Sequence, residues 1–484
     1  MKKIFLFTTL TALAMLMLPA QETSVKAYTL KEAVDFALQN NYNIKNAKLD
    51  EVKAKAKNWE ILTTGMPQIN GNLDYNYYFK VPIVPAFSQD FSSGSAATSI
   101  NNVINEFGTL DSKLPGLIDN AFAGFENISF VLPNTVTAGV GLSQLVFDAR
   151  YFIGVKATKD LLLTSRLTTE TTDQDIKNTV TKAYYQAEAA QEAKSLLQDN
   201  MKAVDKLLDD TRKVFEQGLT EELDVNRLEL AKATLESQIN IQNRMADVAV
   251  ANLKYQMGLK LSDEIILRDK LAELKANAGI VLENKFDPSM RPEFQLLTTS
   301  VKLHKYDMAR DKAGYYPYIN AFLNYSENSQ STTFSGIFHA QTITENGITT
   351  KISSWYQQGL VGFSIKVPIF DSGLKNAQIK QAKVEMDKAV NQLDDFKNAS
   401  QLQFQVAQST LNSAIADEAI SQRSLDLSKK IYDRNQVKFT NGVGSSFELE
   451  QSEQDYTTNL LKHVQSLTNL LNAKADLDKA MGVK

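Results

Sequence analysis

The chain has 484 residues, of which 52 are Lys or Arg and 56 are Asp or Glu, and it contains no cysteine. The lack of cysteine excludes a disulfide framework, a thiolate metal site, a cysteine nucleophile and lipid attachment through an N-terminal cysteine. The formal net charge of −4 gives no general attraction to nucleic acid, so no nucleic-acid partner is expected. Only 10 prolines and 21 glycines interrupt the chain, which indicates long, continuous elements.

The N-terminal segment has the pattern of an export signal. Two lysines precede a largely apolar run, Ile4–Leu18, that is too short to span a bilayer comfortably. We therefore predict a signal peptide over residues 1–20, with cleavage after Ala20 or as late as Ala27. A permanent N-terminal anchor is the alternative. No other stretch reaches the roughly 18 apolar residues of a membrane helix, so an exported chain that enters a membrane would have to use β-strands.

The rest of the sequence contains one unit twice. The matching segments are Pro67–Asn70 and Pro317–Asn320, Phe147-Asp148 and Phe370-Asp371, Gly218 and Gly442, and Met257-Gly258 and Met481-Gly482. Two large copies predict pseudo-symmetry, since a solenoid needs three or more short repeats. We predict a first structural repeat over 28–260, a connecting or equatorial segment over 261–287, and a second repeat over 288–484.

Each repeat contains a pair of segments in which apolar and polar residues alternate. A period of two predicts β-strands with one apolar and one polar face, as in a soluble sandwich or a transmembrane barrel. The predicted strand pairs are 66–80 with 135–147, and 317–326 with 357–370. Four strands are too few for a membrane barrel, whose usual minimum is eight, and an open edge is not tolerated in hydrocarbon. Two, three or four copies would therefore have to assemble.

Each repeat also contains long segments without glycine or proline. At about 1.5 Å per residue, the two longest would form rods on the order of 90–100 Å. Apolar residues follow alternating steps of four and three, which is the period of a coiled coil. One predicted helix begins near Thr29, where Glu32 completes a capping box, and its counterpart begins at Asp287-Pro288. Four further helices are predicted over 155–217, 219–257, 374–441 and 445–481.

Glycine tips separate each long helix from the shorter helix that follows it. Gly218-Leu219-Thr220 and Gly442-Val443-Gly444 each provide a glycine that can end the incoming helix. Ser445 and Glu448 have the spacing of a capping box for the outgoing helix. Each repeat is thus predicted to project a helical hairpin whose tip is remote from its strands.

The order of these parts resembles the TolC-type outer-membrane efflux protein family of Gram-negative bacteria. The resemblance covers the whole mature chain and depends on the opening Thr29-Leu30-Lys31-Glu32-Ala33, the repeated Pro-x-Ile-Asn, the Phe-Asp pairs and the tip glycines. It implies a mixed α+β membrane protein with four transmembrane strands per chain. Three chains would form a homotrimeric, 12-stranded β-barrel in outer-membrane lipid, continued by a coiled-coil tunnel in the periplasm. The channel would passively conduct substrates that an inner-membrane transporter and a periplasmic adaptor, or membrane fusion, protein hand over.

The resemblance also implies an acidic ring at the periplasmic aperture. In the family, two aspartates stand six and nine positions beyond the second tip glycine. Here these positions hold Glu448 and Gln451, and Asp224 holds the sixth position of the first hairpin. These three residues are the ring candidates, although Glu448 could serve only as the capping partner of Ser445. A tyrosine and an arginine of the family's tip are absent here, so its polar links cannot be copied directly.

The hairpin tips are also the candidate surface for the adaptor, because the family's tip glycines are kept. Their residues are Gly218, Leu219, Thr220, Gly442, Val443 and Gly444. The alternative is that these glycines only end helices.

Enzyme signals are absent from the sequence. It has no glycine-rich phosphate loop, no His-Glu-x-x-His and no nucleophile elbow, and its three histidines are far apart. We expect no catalytic, cofactor or metal site and interpret the insert at 79–135 as an external loop. Two alternatives to efflux remain. The first is an outer-membrane duct for type I protein or peptide secretion. The second is a non-conducting periplasmic coiled-coil scaffold, which would not need strand pairs.

Overall fold

The computed structural model describes residues 26–81, 84–85, 127–128, 131–280, 286–345, 348–352 and 354–483. Its α-helices are α1 (Leu30–Asn40), α2 (Tyr42–Thr63), α3 (Ala149–Glu216), α4 (Glu222–Met257), α5 (Leu271–Asn277), α6 (Pro292–Ala313), α7 (Leu374–Thr440) and α8 (Ser446–Met481). Its strands are β1 (Lys26–Tyr28), β2 (Gln68–Tyr77), β3 (Val84–Pro85), β4 (Asn127–Ile128), β5 (Asn134–Asp148), β6 (Ile265–Leu267), β7 (Tyr318–Ser331), β8 (Gln341–Glu345), β9 (Ile348–Ile352) and β10 (Trp355–Lys366). The predicted signal peptide and most of the 79–135 insert lie outside the described residues.

The chain divides into two compact units. A helical unit is drawn from residues before 59, from 156–308 and from 378 onward, and a strand unit from 59–155 and 309–377. None of the helices in the described ranges is both long and apolar enough to cross a membrane.

The strand unit is built on a four-stranded antiparallel sheet in the order β10-β7-β5-β2. Its register aligns Ile69, Leu142, Leu323 and Val361 in one row across all four strands. Directly opposite residues share a face, so this row defines an apolar face, and the row of Asn72, Gly139, Ser326 and Gln358 on the other side of the sheet defines a polar face. Ile69 and Val361 are 72% and 74% exposed, so the described chain does not cover the apolar face there.

The strand bounds differ from the predicted ones at several ends. β2 ends before residue 80: Tyr78 N–H still donates to Pro133 O, the next partner in register, but Pro133 has no N–H to donate in return. β7 continues past residue 326 because β5 pairs with it as far as Asn134 opposite Ser331. β10 ends at Lys366 rather than at 370, since Pro368 cannot donate to a sheet ladder. Within the predicted external insert, β3 and β4 pair as two-residue strands.

The helical unit packs four long helices around a shared core. α3 and α7 have 68 and 67 residues, and α4 and α8 have 36 each. Val180, Leu253, Leu411 and Leu471, one from each of these helices, are fully buried in one cluster. Burial of alternating apolar positions is what the heptad pattern predicts for coiled helices.

Three helix starts differ from the sequence prediction. α3 begins at Ala149 and not at 155; it includes Gly154, which costs only about 1 kcal/mol in a helix interior. α4 begins at Glu222 and not at 219, because the tip occupies the residues between. Asp287 caps only the short 3-10 helix Pro288–Met290, and α6 starts at Pro292. The predicted capping box of Thr29 and Glu32 is confirmed.

The connecting segment contains structure that the sequence did not predict. β6 pairs in parallel with the N-terminal strand β1, from Lys26 opposite Ile265 to Tyr28 opposite Leu267. The short helix α5 follows, and Leu271 at its start is fully buried in the main helical core. The segment is therefore an integral part of the helical unit.

Candidate functional site at the hairpin tips

Both hairpin tips are built by the same backbone motif. Gly218 and Gly442 have φ angles of +73° and +71°, in the left-handed region that favours glycine. After each glycine, the next N–H donates five residues back, from Leu219 to Val214 O and from Val443 to Lys438 O. This is the Schellman arrangement that satisfies the last carbonyls of a helix, so the predicted helix-ending role of both glycines is confirmed.

The tip side chains project away from the rest of the chain. Leu219 is 74% exposed and Val443 is 78% exposed. A Cβ atom added at Gly218 or Gly442 would meet nothing within 4 Å, so backbone conformation, and not crowding, requires glycine there. Gly444 is different, since its Cβ would lie 2.9 Å from Phe439 N and Lys438 Cβ. The tips thus present two apolar side chains on a well-capped backbone.

Asp224 lies at a contact between the two hairpins. Its Oδ2 accepts from Thr220 Oγ1 at 2.7 Å and from Glu221 N at 3.4 Å, and its carboxylate also accepts from Ser446 of the other hairpin. Partial burial raises the pKa of Asp224, but these hydrogen bonds and the Arg227 charge outweigh it and leave that pKa below its usual value. Asp224 is therefore a carboxylate at neutral pH.

Glu448 and Gln451, the other ring candidates, lie exposed near the start of α8. The predicted capping box at Ser445 is wrong, because Ser445 Oγ accepts from Phe447 N at 3.2 Å and not from Glu448 N. A cap oxygen can serve either the second or the third helical N–H, and here it serves the second. The Glu448 carboxylate forms no hydrogen bond with the described residues, whereas Gln451 Nε2 donates to Asp455 at 3.2 Å. Glu448 is thus free of the capping role that was its alternative.

The two hairpins of one chain also meet through residues that the sequence analysis missed. Arg227 Nη1 on α4 lies 3.5 Å from Glu450 Oε2 on α8, and its guanidinium lies 5.1 Å from the centre of the Phe447 ring. Leu228 and Leu449, each next to a residue of this contact in the sequence, are buried in one cluster. No sequence signal marks the pair, since its members are 223 positions apart and on different hairpins.

A buried polar group lies further along the same helices. Glu453 on α8 is only 6% exposed, and its Oε1 accepts from Asn200 Nδ2 on α3 and from Thr457 Oγ1, both at 2.7 Å. Burial raises the pKa of Glu453, and these two hydrogen bonds partly oppose the change. The nearby Tyr432 hydroxyl is buried without a hydrogen-bond partner in the described chain. Within those residues, no group of three or more acidic or histidine side chains could hold a metal ion.

Comparison with known proteins identifies the family. The family described as outer membrane efflux protein matches residues 133–258 and 289–483, which include the strands of the main sheet after β2 and all four long helices. The chain belongs to that family.

Sequence relatives agree with this assignment. The outer membrane protein TolC of Escherichia coli K12 is 25% identical over 375 residues, which cover 74% of this chain and 68% of TolC. TolC of Salmonella enteritidis is 21% identical over 353 residues, covering 72% and 68%. As a member of the family, the protein is an outer-membrane efflux channel of multipartite pumps, with its helices in the periplasm. The family's members are channels and not enzymes, and TolC-like channels are homotrimers.

Solved structures share the fold. The outer membrane channel CmeC of Campylobacter jejuni aligns with a TM-score of 0.67 at 15% identity, covering 94% of this chain and 85% of CmeC. The MtrE channel of Neisseria gonorrhoeae, solved in its open state, aligns with a TM-score of 0.61 at 15% identity, covering 94% and 88%.

Proposed function

We propose that three copies of this outer membrane efflux protein join their sheets edge to edge into one barrel of twelve strands, and that the hairpin tips form the mouth through which substrate enters. The observation that supports this most strongly is the state of the four-stranded sheet. Both its edge strands, β2 and β10, lack a partner on one side within the described chain. Unpaired backbone groups are not tolerated in hydrocarbon, so an outer-membrane protein needs a neighbour at both edges.

The strand directions support edge-to-edge closure. All pairings in the sheet are antiparallel, and an even number of strands separates the two edges, so β2 and β10 run in opposite directions. A neighbour's β10 placed beside β2 continues the antiparallel order without a break. Repeated around a three-fold axis, this contact closes the sheet and leaves no edge.

The two faces of the sheet support a lipid exterior and a wet interior. On the apolar face, Leu73 and Phe363 are 76% and 71% exposed, and no described element covers them. On the polar face, Thr137 Oγ1 donates to Asn328 Oδ1 at 2.8 Å, and Asn72 donates to Asp74 at 2.7 Å. Apolar-out and polar-in alternation is what a transmembrane barrel requires. A periplasmic scaffold would have to leave the apolar face in water, which disfavours that alternative.

We further propose that Glu448, together with Asp224, gives the mouth its charge. Three copies of Glu448 around a narrow axis would repel one another and attract cations from the periplasm. The unpaired, exposed carboxylate of Glu448 supports this assignment more than a role in capping. Asp224 would add negative charge from a fixed position, since three donors hold it. Gln451 stands where a second acidic residue would complete the family's pattern.

The decisive experiment for the channel is conductance of the purified complex. Protein extracted from the outer membrane in detergent should have the mass of three chains and give discrete single-channel currents in planar bilayers. A stable monomer or dimer would contradict the trimer. A trimer that never conducts would contradict the channel.

Contact between the tips and a periplasmic adaptor is a separate prediction. Leu219 and Val443 are the exposed apolar side chains of the tips, and the chain has no cysteine of its own. Leu219→Cys and Val443→Cys should therefore form crosslinks to an adaptor in intact cells. Asn441→Cys, an exposed polar position beside the second tip, serves as a nearby control for distance dependence. Adaptor crosslinks from strand positions and not from the tips would contradict the assignment.

A further inference from the structure

A short aromatic turn lies across the apolar face of the sheet at its loop end. This turn, Phe334–Phe338, follows β7 and is named here the aromatic strap. The Phe334 ring packs edge-on against Tyr75 of β2, with ring centres 5.4 Å apart at 89°. Tyr75 and Ser329 belong to one register row on the apolar face, so the strap lies on that face and not on the polar one.

Hydrogen bonds fix the strap to the strands. Ile337 O accepts from Ser329 Oγ at 3.0 Å and from Ser354 Oγ, just before β10, at 2.9 Å. The Ile337 side chain is fully buried. Gly336 allows the close approach, because a Cβ there would overlap Ser331 Oγ. These contacts therefore hold the strap in a single defined position on the sheet.

The strap covers polar groups that would otherwise face outward. Ser329 is fully buried, and Asn134 and Ser331 are nearly so. Asn134 Oδ1 accepts from Tyr75 OH at 2.8 Å, and its Nδ2 donates to Thr332 O at 3.0 Å. Polar groups on a lipid-facing surface are costly unless they are paired, and here the strap and its flanks pair them.

The outer side of the strap presents aromatic rings. Phe334 and Phe338 are 59% and 61% exposed, and their rings meet edge to face at 5.8 Å. The strap carries no charged residue. Further down the same strands the exposed apolar face continues with Leu323 and Val361, beyond a row that also contains the exposed polar side chains of Glu327 and Gln357. β5 runs directly into the periplasmic helix α3, so the strap lies at the opposite, exterior end of the strands.

We propose that the aromatic strap is a lipid anchor, in which Phe334 and Phe338 insert among the lipids at the outer-leaflet boundary and hold the loop end of the sheet at a fixed depth. This inference rests on the proposed function, since it requires the apolar face to be in the membrane. Rings at the water–hydrocarbon boundary are a favoured arrangement in transmembrane barrels. Here the two rings belong to a turn that folds back over the strands, and not to the strands themselves.

Site-directed spin labelling of the full-length protein in lipid nanodiscs tests the proposal, since the native chain has no cysteine. The labelled positions are Phe338→Cys on the strap, Val361→Cys on the apolar face, and Gln358→Cys on the polar face of the same strand as Val361. Labels at Phe338 and Val361 should be more accessible to dissolved oxygen than to a water-soluble nickel reagent. The label at Gln358 should show the opposite preference. Adding Gly336→Ala, which crowds the Ser331 side chain, should weaken the preference at Phe338 and leave Val361 unchanged.

Three results would overturn the anchor. A Phe338 label as accessible to nickel as the Gln358 label, with Val361 still in lipid, would place the strap in water and leave the proposed channel intact. Protection of Phe338 from both reagents would place it against a second copy of the chain. Nickel access at Val361 as well would remove the membrane assignment of the sheet, and with it both proposals.

Discussion

At the scale of single residues, Glu188 on α3 is a carboxyl group whose ionisation opposes folding. It is only 8% exposed and has no hydrogen bond or ion pair with the described residues. Burial is the largest cause that raises the pKa of Glu188 to about 7, and repulsion from Glu192, Asp269 and Glu273 raises it further, although Lys270 lowers it. The folded state therefore retains a proton that the unfolded chain releases. The stability that the folded protein gains by keeping Glu188 protonated is fully present below the ordinary glutamate pKa and is lost as the pH rises through about 7.

Replacing Glu188 by Gln should remove that pH dependence. The raised pKa corresponds to about 3 kcal/mol per chain at alkaline pH, so Glu188→Gln should melt at a higher temperature than the native protein at pH 8 and about the same at pH 5. Thermal unfolding followed by circular dichroism between these pH values measures the difference. Glu216→Gln, an exposed carboxyl at the end of the same helix, should not reproduce it. If the difference in melting temperature between Glu188→Gln and the native protein stays constant with pH, Glu188 is not the titrating group.

The charge of the mouth can be tested in single channels. Glu448→Gln should weaken the block of current by a divalent cation added from the periplasmic side, because it removes an exposed charge without disturbing the Ser445 cap. Asp224→Asn on that background should weaken the block further. Gln451→Glu should strengthen it, since a carboxylate would be added one turn beyond Glu448. Block that is the same in all variants would mean that these residues do not line the aperture.

At the scale of elements, the pairing of β1 favours one of the two candidate cleavage sites of the export signal. Lys26, Ala27 and Tyr28 all pair with β6, and Tyr28 O accepts from Arg268 N and from Tyr184 OH. Cleavage after Ala27 would remove two of the three residue pairs between β1 and β6. It would also make the buried Tyr28 the first residue, with a charged amino group. We therefore expect cleavage after Ala20.

Intact-mass measurement of the mature protein tests this expectation. The mass should correspond to a chain that starts at Gln21, with or without cyclisation of that residue. A chain that starts at Tyr28 would contradict the argument and would show that β1 is dispensable for folding.

The elements that the sequence predicts are those with a sustained period. The alternation of apolar residues located β2, β5, β7 and β10, and the steps of four and three located the long helices. The break between α1 and α2 was missed, because it depends on a partner distant in the sequence. Asn41 Nδ2 donates to Gln256 O at 2.6 Å, and its Oδ1 accepts from Asn43 N at 2.8 Å to begin α2. β1 and β6, with three residues each, are too short to show any period.

The candidate site was predictable only where backbone chemistry determines it. A helix followed by glycine predicts a left-handed cap from local sequence alone, and Gly218 and Gly442 form such caps. The contacts of Arg227 with Glu450 and Phe447 depend on how two hairpins pack, which local sequence does not encode. The aromatic strap was missed for the same reason, since its partners lie on β2, on β7 and just before β10.

At the scale of the whole molecule, closure of the barrel makes a prediction about which edges meet. Head-to-tail assembly brings β2 of one copy beside β10 of the next, whereas a two-fold contact would pair β2 with β2 or β10 with β10. Asn72 on β2 and Gln358 on β10 are exposed polar-face positions on the two edges. In the cysteine-free chain, Asn72→Cys and Gln358→Cys provide one specific attachment point on each edge.

The double variant, treated in membranes with thiol crosslinkers of increasing length, should give a denaturing-gel ladder that ends at three chains, because the stagger of strands in a barrel offsets the two edges along their length. Each single variant should stay monomeric, because neither edge meets its own copy in a head-to-tail ring. A ladder that ends at two or four chains would keep the edge contact but replace twelve strands by eight or sixteen. Efficient dimer formation by a single variant would mean that the sheets pair symmetrically, and closure by head-to-tail contacts would be wrong.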